Sequence, residues 1–81
     1  SIDRVDREIG RLVARRLELC RRVAEAKRAA GVPLRDAARE ETVMARYLDT
    51  PGMDERSARQ LAESLIAMGL TVEGWTTEGV P

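Results

Sequence analysis

The fold is decided by the first thirty residues of the chain, SIDRVDREIGRLVARRLELCRRVAEAKRAA (residues 1–30). Neither a proline nor a turn signal interrupts this stretch. Its apolar residues recur at intervals of three and four, which is the period of an α-helix rather than of a β-strand. This apolar stripe consists of Ile2, Val5, Ile9, Leu12, Leu19, Val23 and Ala26. Gly31-Val32-Pro33 ends the helix, because glycine favours helix ends and proline cannot continue a helix.

Two shorter helices are predicted in the rest of the chain. One runs from about Asp36 to Leu48 and the other from about Asp54 to Val72, with Asp36 and Asp54 as N-caps. Thr50-Pro51-Gly52 forms the turn between them. The fold class is therefore all-α, with three helices per subunit. We expect residues 1–73 to form the domain and residues 74–81 to form a C-terminal tail.

The length of the first helix indicates a dimer. A helix of about 28 residues is about 42 Å long. A compact domain of this size has a radius of gyration of only about 12 Å. Because the two shorter helices cannot cover the long one, we expect a second copy of the chain to do so and predict a homodimer.

The amino-acid composition argues against several classes of function. The 81 residues include 14 Lys and Arg and 14 Asp and Glu, so the formal net charge is zero. Net charge therefore gives no general attraction to nucleic acid or to an anionic membrane. The aromatic residues are Tyr47 and Trp75, too few for a surface that stacks on bases. There is no histidine and the lone cysteine, Cys20, is expected to pack, so we predict neither a metal nor a cofactor. Lacking a visible signal peptide or an apolar run of about 20 residues, the protein is expected to be cytoplasmic.

Charged residues stand where the helical pattern predicts apolar ones. The stripe of the first helix should continue through positions 16 and 27, which hold Arg16 and Lys27. Their spacing of eleven residues corresponds to about three turns, so both project from the same side. Because burying two uncompensated cations is costly, they must either pair with carboxylates of the protein or receive an anionic ligand.

The other two helices have inward-facing acids as well. Taken singly, each charged residue has an ordinary explanation: Arg16 as a core-edge side chain, Lys27 as a cation at a helix C-terminus, and Asp36 as a cap. Together they predict a binding site. One face of the second helix holds Asp36, Glu40, Val43 and Tyr47 beside Arg39, and one row of the third helix holds Ala62, Ile66, Gly69 and Glu73. The remaining cations are predicted to be solvated, among them Arg15, Arg21, Arg22 and Arg28.

The order and spacing of these residues resemble the helical chorismate mutases, the AroQ class. The family pattern opens with an isoleucine and an aspartate, matched here by Ile2 and Asp6. It continues with an arginine, a lysine eleven residues later, an aspartate nine residues after that, and then an arginine and a glutamate. Here those residues are Arg16, Lys27, Asp36, Arg39 and Glu40. The resemblance covers about residues 2–73.

This resemblance implies an intertwined homodimer with two equivalent sites, which converts the dicarboxylate chorismate to prephenate without cofactor or metal. Arg16 would bind a carboxylate of the substrate, and Lys27 would contact a carboxylate and the ether oxygen. Arg39 would add positive charge beside the ring carboxylate, while Glu40 and the region of Asp36 would receive the ring hydroxyl. Gly69 stands where some members of the family have serine.

Two features depart from the family pattern. The family brings an arginine of the second subunit into each site, from a position that would precede Ser1 here. Glu73 stands where many members have a glutamine that donates a hydrogen bond to the ether oxygen. A carboxyl group can donate only when protonated. We therefore hypothesise that Glu73 carries a proton for full activity and that the buried site raises its pKa.

Other functions fit the same residues. A 4-amino-4-deoxychorismate mutase would use the same cations and meet an amine where chorismate has a hydroxyl. An isochorismate pyruvate-lyase is possible on the same scaffold. In a third alternative, the chain is a non-catalytic helical dimerisation module whose charges form salt bridges between helices.

Overall fold

A computed structural model describes residues 1–74 of the chain. It contains three helices and no strand within that range: α1 is Ile2–Ala30, α2 is Ala37–Leu48 and α3 is Glu55–Val72. The all-α class and the bounds expected of each helix are confirmed. Most of the predicted tail, residues 75–81, lies outside the described residues, and the domain boundary at residue 73 stays a prediction.

Each helix begins at a side chain that accepts a hydrogen bond from a free backbone N–H. The Ser1 hydroxyl oxygen accepts from Arg4 at 3.4 Å, and the Asp36 carboxylate accepts from the N–H of Arg39 at 3.1 Å. Asp54 accepts from the N–H of Ser57 at 2.9 Å and from its hydroxyl at 2.7 Å, and these bonds lower the pKa of Asp54 from its ordinary value. Asp36 and Asp54 are N-caps as predicted.

Glycine ends α1 in the geometry of a Schellman motif. Gly31 adopts φ 70° and ψ 26°, a left-handed conformation that costs glycine little. Its N–H donates to the carbonyl oxygen of Arg28 at 3.2 Å, and the N–H of Val32 donates to that of Lys27 at 3.0 Å. The chain therefore turns away sharply beyond Ala30, and Lys27 lies in the last helical turn beside the loop that leads to α2.

Helix α3 lies between the other two helices and packs against both, whereas α1 and α2 do not pack against each other. The buried core is small and consists of Ala24, Val43, Ala58, Ala62 and Leu65. Three of these five residues are alanines, which allow the helix axes to approach closely. The molecule measures 43 × 23 × 22 Å, and the long dimension is set by α1.

Most of the apolar stripe of α1 is exposed in the single chain. Ile2 is 79% exposed and Leu12 is 68% exposed, and Val5, Ile9, Leu19 and Val23 are exposed too. The side of α1 that faces α3 is formed by other residues, including Leu17, Cys20 and Ala24. In α3, Ala58 and Leu65 are buried, whereas Met68 is 38% exposed. None of the helices described is long and apolar enough to cross a membrane.

Candidate functional site

A cavity of about 270 Å³ opens where the three helices converge. Its apolar wall includes Leu34, Val43, Ile66 and Leu70. Every residue that the sequence singles out for the site lines this cavity: Arg16, Lys27, Asp36, Arg39, Glu40, Gly69 and Glu73. The structure thus brings together side chains from all three helices and from the loop before α2, although they span almost the whole described chain.

Arg16 reaches the cavity across the interface between α1 and α3. Its Nη1 donates to the carbonyl oxygen of Leu65 at 3.1 Å and lies 3.9 Å from the sulfur of Cys20. Gly69 leaves room for this arrangement, because a Cβ there would lie 3.1 Å from the Cys20 sulfur and 3.5 Å from Arg16 Nη1. The absence of a side chain at position 69 therefore makes room mainly for the Cys20 sulfur, beside which the guanidinium lies.

Lys27 is the second half-buried cation of the cavity. Its Nζ donates to the carbonyl oxygen of Leu34 at 2.8 Å. Within residues 1–74, neither Lys27 nor Arg16 forms an ion pair with an acid. Both cations are held by main-chain carbonyl oxygens, which orient them but do not neutralise their charge. They can therefore bind an anion in the cavity through charge-assisted hydrogen bonds.

The two acids at the start of α2 differ in their surroundings. Asp36 is exposed and caps the helix. Glu40 is half-buried, and both of its oxygens accept from the guanidinium of Arg35, Oε2 from Nε at 3.0 Å and Oε1 from Nη2 at 3.1 Å. These bonds, and then the attraction between the charges, raise the pKa of Arg35. Arg35 was not predicted, because no helical period relates a loop residue to a residue in the first turn of the next helix.

Glu73 is the most deeply buried acid of the described residues, with 7% of its surface exposed. Its row on α3 includes Ala62 and Gly69, both buried, as the sequence suggested. Burial raises the pKa of Glu73, while the opposing effects of Lys27, Arg16 and Arg28 are smaller. The predicted direction of this shift is confirmed.

Arg28 is exposed, as predicted, but its guanidinium also contacts the end of α3. Arg28 Nη2 donates to the carbonyl oxygen of Glu73, which links the last turn of α1 to the end of α3. Gly74 follows with φ 94°, and a Cβ at that position would lie 2.9 Å from Arg28 Nη2. Arg28 therefore fixes the main chain that carries Glu73. Spacing along α1 cannot reveal this contact, because the acceptor is a backbone atom 45 residues away.

Two further hollows adjoin the cavity. The α2–α3 groove, of about 910 Å³, has an apolar floor that includes Met44, Leu48, Ala67 and Leu70. Its acids include Glu41 and Glu63, and Arg35 is the one cation among the described residues that line it. A smaller hollow of about 320 Å³ is lined by Arg16, Arg39, Val43, Arg46, Tyr47 and Thr50. The cavity and the smaller hollow thus each have three cations among the described residues that line them, whereas the larger groove has Arg35 alone and is mainly apolar.

The helices and the cavity define a small all-α protein with a cation-lined cavity among its three helices. No cluster of potential metal-binding side chains occurs among residues 1–74. The family model described as chorismate mutase type II matches residues 1–74, and the chain belongs to that family. No curated protein and no solved structure matches the chain significantly.

Proposed function

We propose that this protein is a chorismate mutase, which rearranges chorismate to prephenate. The observation that carries the proposal is that the cavity contains two cations, Arg16 and Lys27, that have no acidic partner among the described residues. Both are half-buried in one cavity, oriented by carbonyl oxygens, and not neutralised by any acid of residues 1–74. Since an unpaired buried cation is costly for a protein, a site that keeps two of them favours an anionic substrate.

The charges around the cavity support a substrate with two carboxylates. Three cations and three acids line it, namely Arg16, Lys27, Arg39, Asp36, Glu40 and Glu73. The acids offset these cations only weakly. Glu40 is bound to Arg35, Asp36 caps α2, and burial favours the protonated form of Glu73. The cavity therefore has an excess of positive charge that a dicarboxylate can balance.

The reaction suits a site of this kind. In chorismate the bond between a ring carbon and the ether oxygen breaks while a carbon–carbon bond forms within the same molecule, so no atom is gained or lost. The protein contributes by holding the substrate in its reactive shape and by stabilising the charge that develops on the ether oxygen. We assign carboxylate binding to Arg16 and Arg39. Lys27 and protonated Glu73 donate to the ether oxygen.

We further propose that the protein is a homodimer in which the exposed stripe of α1 packs against a second copy. Contiguous apolar patches of this extent are uncommon on monomeric proteins and mark interaction surfaces. The stripe runs along the helix from Ile2 to Val23, and little of it contacts its own subunit. The α2–α3 groove offers the second copy an apolar surface of its own.

The test is the turnover of chorismate, with prephenate identified as the product, by the unaltered protein and by Arg16→Ala. We expect the variant to lose about 100-fold or more in kcat/KM, because truncating one partner of a buried, hydrogen-bonded charge pair, here the arginine that binds a substrate carboxylate, has effects of this size. Arg15→Ala is the matched control, since Arg15 is the adjacent residue on α1 and is exposed. The control should retain its activity.

Related substrates test the alternatives. The unaltered protein should prefer chorismate over 4-amino-4-deoxychorismate, and it should not release pyruvate from isochorismate. A preference for either analogue would assign the chain to one of those sister activities. If the folded dimer neither bound nor converted any of the three, the chain would be a dimerisation module and the proposal would be wrong.

A further inference from the structure

Arg35 lines the α2–α3 groove rather than the cavity, and the proposed chemistry does not use it. It lies in the loop between α1 and α2, immediately before the cap residue Asp36. Its guanidinium holds both oxygens of Glu40 in a fork, at 3.0 and 3.1 Å. Among residues 1–74 this is the one ion pair that includes a residue lining the cavity.

The fork fixes the direction of the Glu40 carboxylate. A bidentate contact between guanidinium and carboxylate holds the two groups coplanar and restricts rotation of both. The side chain of Glu40 is 21% exposed, and that of Arg35 is 50% exposed. Each oxygen of Glu40 accepts one bond from Arg35 and keeps a second lone pair. Glu40 can therefore accept a hydrogen bond from a ligand in the cavity without leaving Arg35.

The fork also offsets the negative charge of Glu40. A free carboxylate attracts an ammonium group much more strongly than a neutral hydroxyl group. A carboxylate that is already paired with an arginine remains a good acceptor but has less net attraction for a second cation. Near Glu40 the cavity also presents Arg39 and Lys27, which disfavour an additional positive charge. The local field therefore favours a hydroxyl.

We propose that Arg35 is a positioning residue that sets specificity for the ring substituent. By pairing with Glu40 and offsetting its negative charge, it makes the site select a ring hydroxyl over a ring ammonium group. This inference rests on the proposed function, in which the substrate ring faces Glu40. It adds the reason why the hydroxyl-bearing substrate is preferred to its amino analogue.

The experiment compares kcat/KM for chorismate and for 4-amino-4-deoxychorismate, in the unaltered dimer and in Arg35→Met. We expect the ratio of kcat/KM for chorismate to kcat/KM for the amino analogue to fall about threefold to fivefold in the variant. A change of this size matches the small energy of a partly exposed ion pair. A purely structural role for Arg35 would lower both values together and leave the ratio unchanged. Size-exclusion chromatography and thermal unfolding establish that the variant is folded and dimeric.

Arg35→Lys separates the two roles of the arginine. Lysine keeps the charge but cannot form the fork. The substrate ratio should therefore stay near that of the unaltered protein, while kcat/KM for chorismate declines because Glu40 is less well oriented. If Arg35→Met does not fold, Arg35→Gln replaces it, because glutamine also removes the charge, and the same fall in the substrate ratio is expected. Arg59→Met is the matched control, because Arg59 pairs with Glu55 on the exposed face of α3, away from the cavity.

The outcomes distinguish the inference from the function on which it rests. If the unaltered protein turns over neither substrate, the proposed function is wrong and the inference is overturned with it. If it turns over chorismate but Arg35→Met keeps the substrate ratio of the unaltered protein, whether or not kcat/KM declines, the inference alone is overturned. A ratio that falls in Arg35→Met but not in Arg59→Met supports it.

Discussion

At the scale of single residues, the chemistry of the site depends on how each charged side chain is compensated. Arg16 and Lys27 donate to carbonyl oxygens and keep their charge. Glu40 is paired with Arg35, and Glu73 is buried without an ion pair among the described residues. Glu73 is therefore the acid of the site whose pKa burial raises above its ordinary value.

Activity is predicted to decline as pH rises through the raised pKa of Glu73. Above it the carboxyl group loses the proton that it would donate to the ether oxygen of the substrate. In Glu73→Gln the donor is permanent, so kcat/KM should vary much less over the same range. Glu25→Gln is the control, because Glu25 is an exposed acid of α1. An unchanged pH profile in Glu73→Gln would contradict the assigned role.

The same shift predicts how stability depends on pH. Because the folded protein favours the protonated form of Glu73, this group contributes most to the free energy of unfolding below the ordinary pKa of 4.5. The contribution is lost as pH rises through the raised value. Relative to Glu73→Gln, the unaltered protein should thus become less stable with rising pH, as measured by denaturant unfolding at constant protein concentration.

Site residues could be predicted from the sequence where they lie on one helix and their spacing places them on the same side of it. The interval from Arg16 to Lys27 places both on one side of α1, and the structure has both lining one cavity. Arg35 and Arg28 were not predictable in this way. Arg35 lies in a loop and donates to Glu40 in the first turn of α2. Arg28 donates to the backbone carbonyl oxygen of Glu73, at the end of another helix. Such contacts depend on how the helices pack, which a periodic pattern does not specify.

At the scale of elements, the ends of the helices determine where the functional groups lie. The Schellman motif at Gly31 turns the chain so that the carbonyl oxygen of Leu34 meets Lys27. The bounds of the helices could be predicted because caps, glycines and prolines are local signals. Their packing could not, because α3 buries one stripe, formed by Ala58, Ala62, Leu65 and Gly69, and spacing alone does not say which neighbouring helix that stripe meets.

Gly31→Ala is predicted to lower the free energy of unfolding by about 1 kcal/mol, because an alanine is strained at this left-handed φ. Gly10→Ala is the matched control. Gly10 lies inside α1, where an added Cβ would meet nothing within 4 Å, so alanine there should stabilise the helix by about 0.5–1 kcal/mol. Equilibrium unfolding in urea measures both changes. Equal effects of the two substitutions would refute the argument from backbone conformation.

At the scale of the whole molecule, α1 is too long for one subunit to cover. It spans the 43 Å length of the molecule, yet it contributes one buried residue, Ala24, to the core. Sequence length and periodicity were sufficient to suggest a second copy, because they depend on the size of the helix alone. They could not show that the stripe and the face toward α3 are different sides of α1, which requires the packed structure.

Leu12→Glu is predicted to shift the proposed dimer toward monomer, because it places a charge in the middle of the exposed apolar stripe. Ala14→Glu adds the same charge two residues away, at an exposed position outside the stripe, and should leave the dimer intact. Analytical ultracentrifugation at micromolar concentration separates the two results. A monomer for the unaltered chain would disprove the dimer.

Arg16 and Lys27 are each oriented by a backbone carbonyl oxygen, so the bond leaves the residue that supplies each oxygen free to vary in its side chain. Every amino acid supplies the same carbonyl oxygen, so the residues at positions 65 and 34 can change without removing either anchor. Leu65 is limited by its burial and Leu34 by the apolar wall of the cavity, but neither is limited by the bond that its backbone accepts. During evolutionary drift, the orientation of the two cations is therefore protected against substitution of the residues that anchor them.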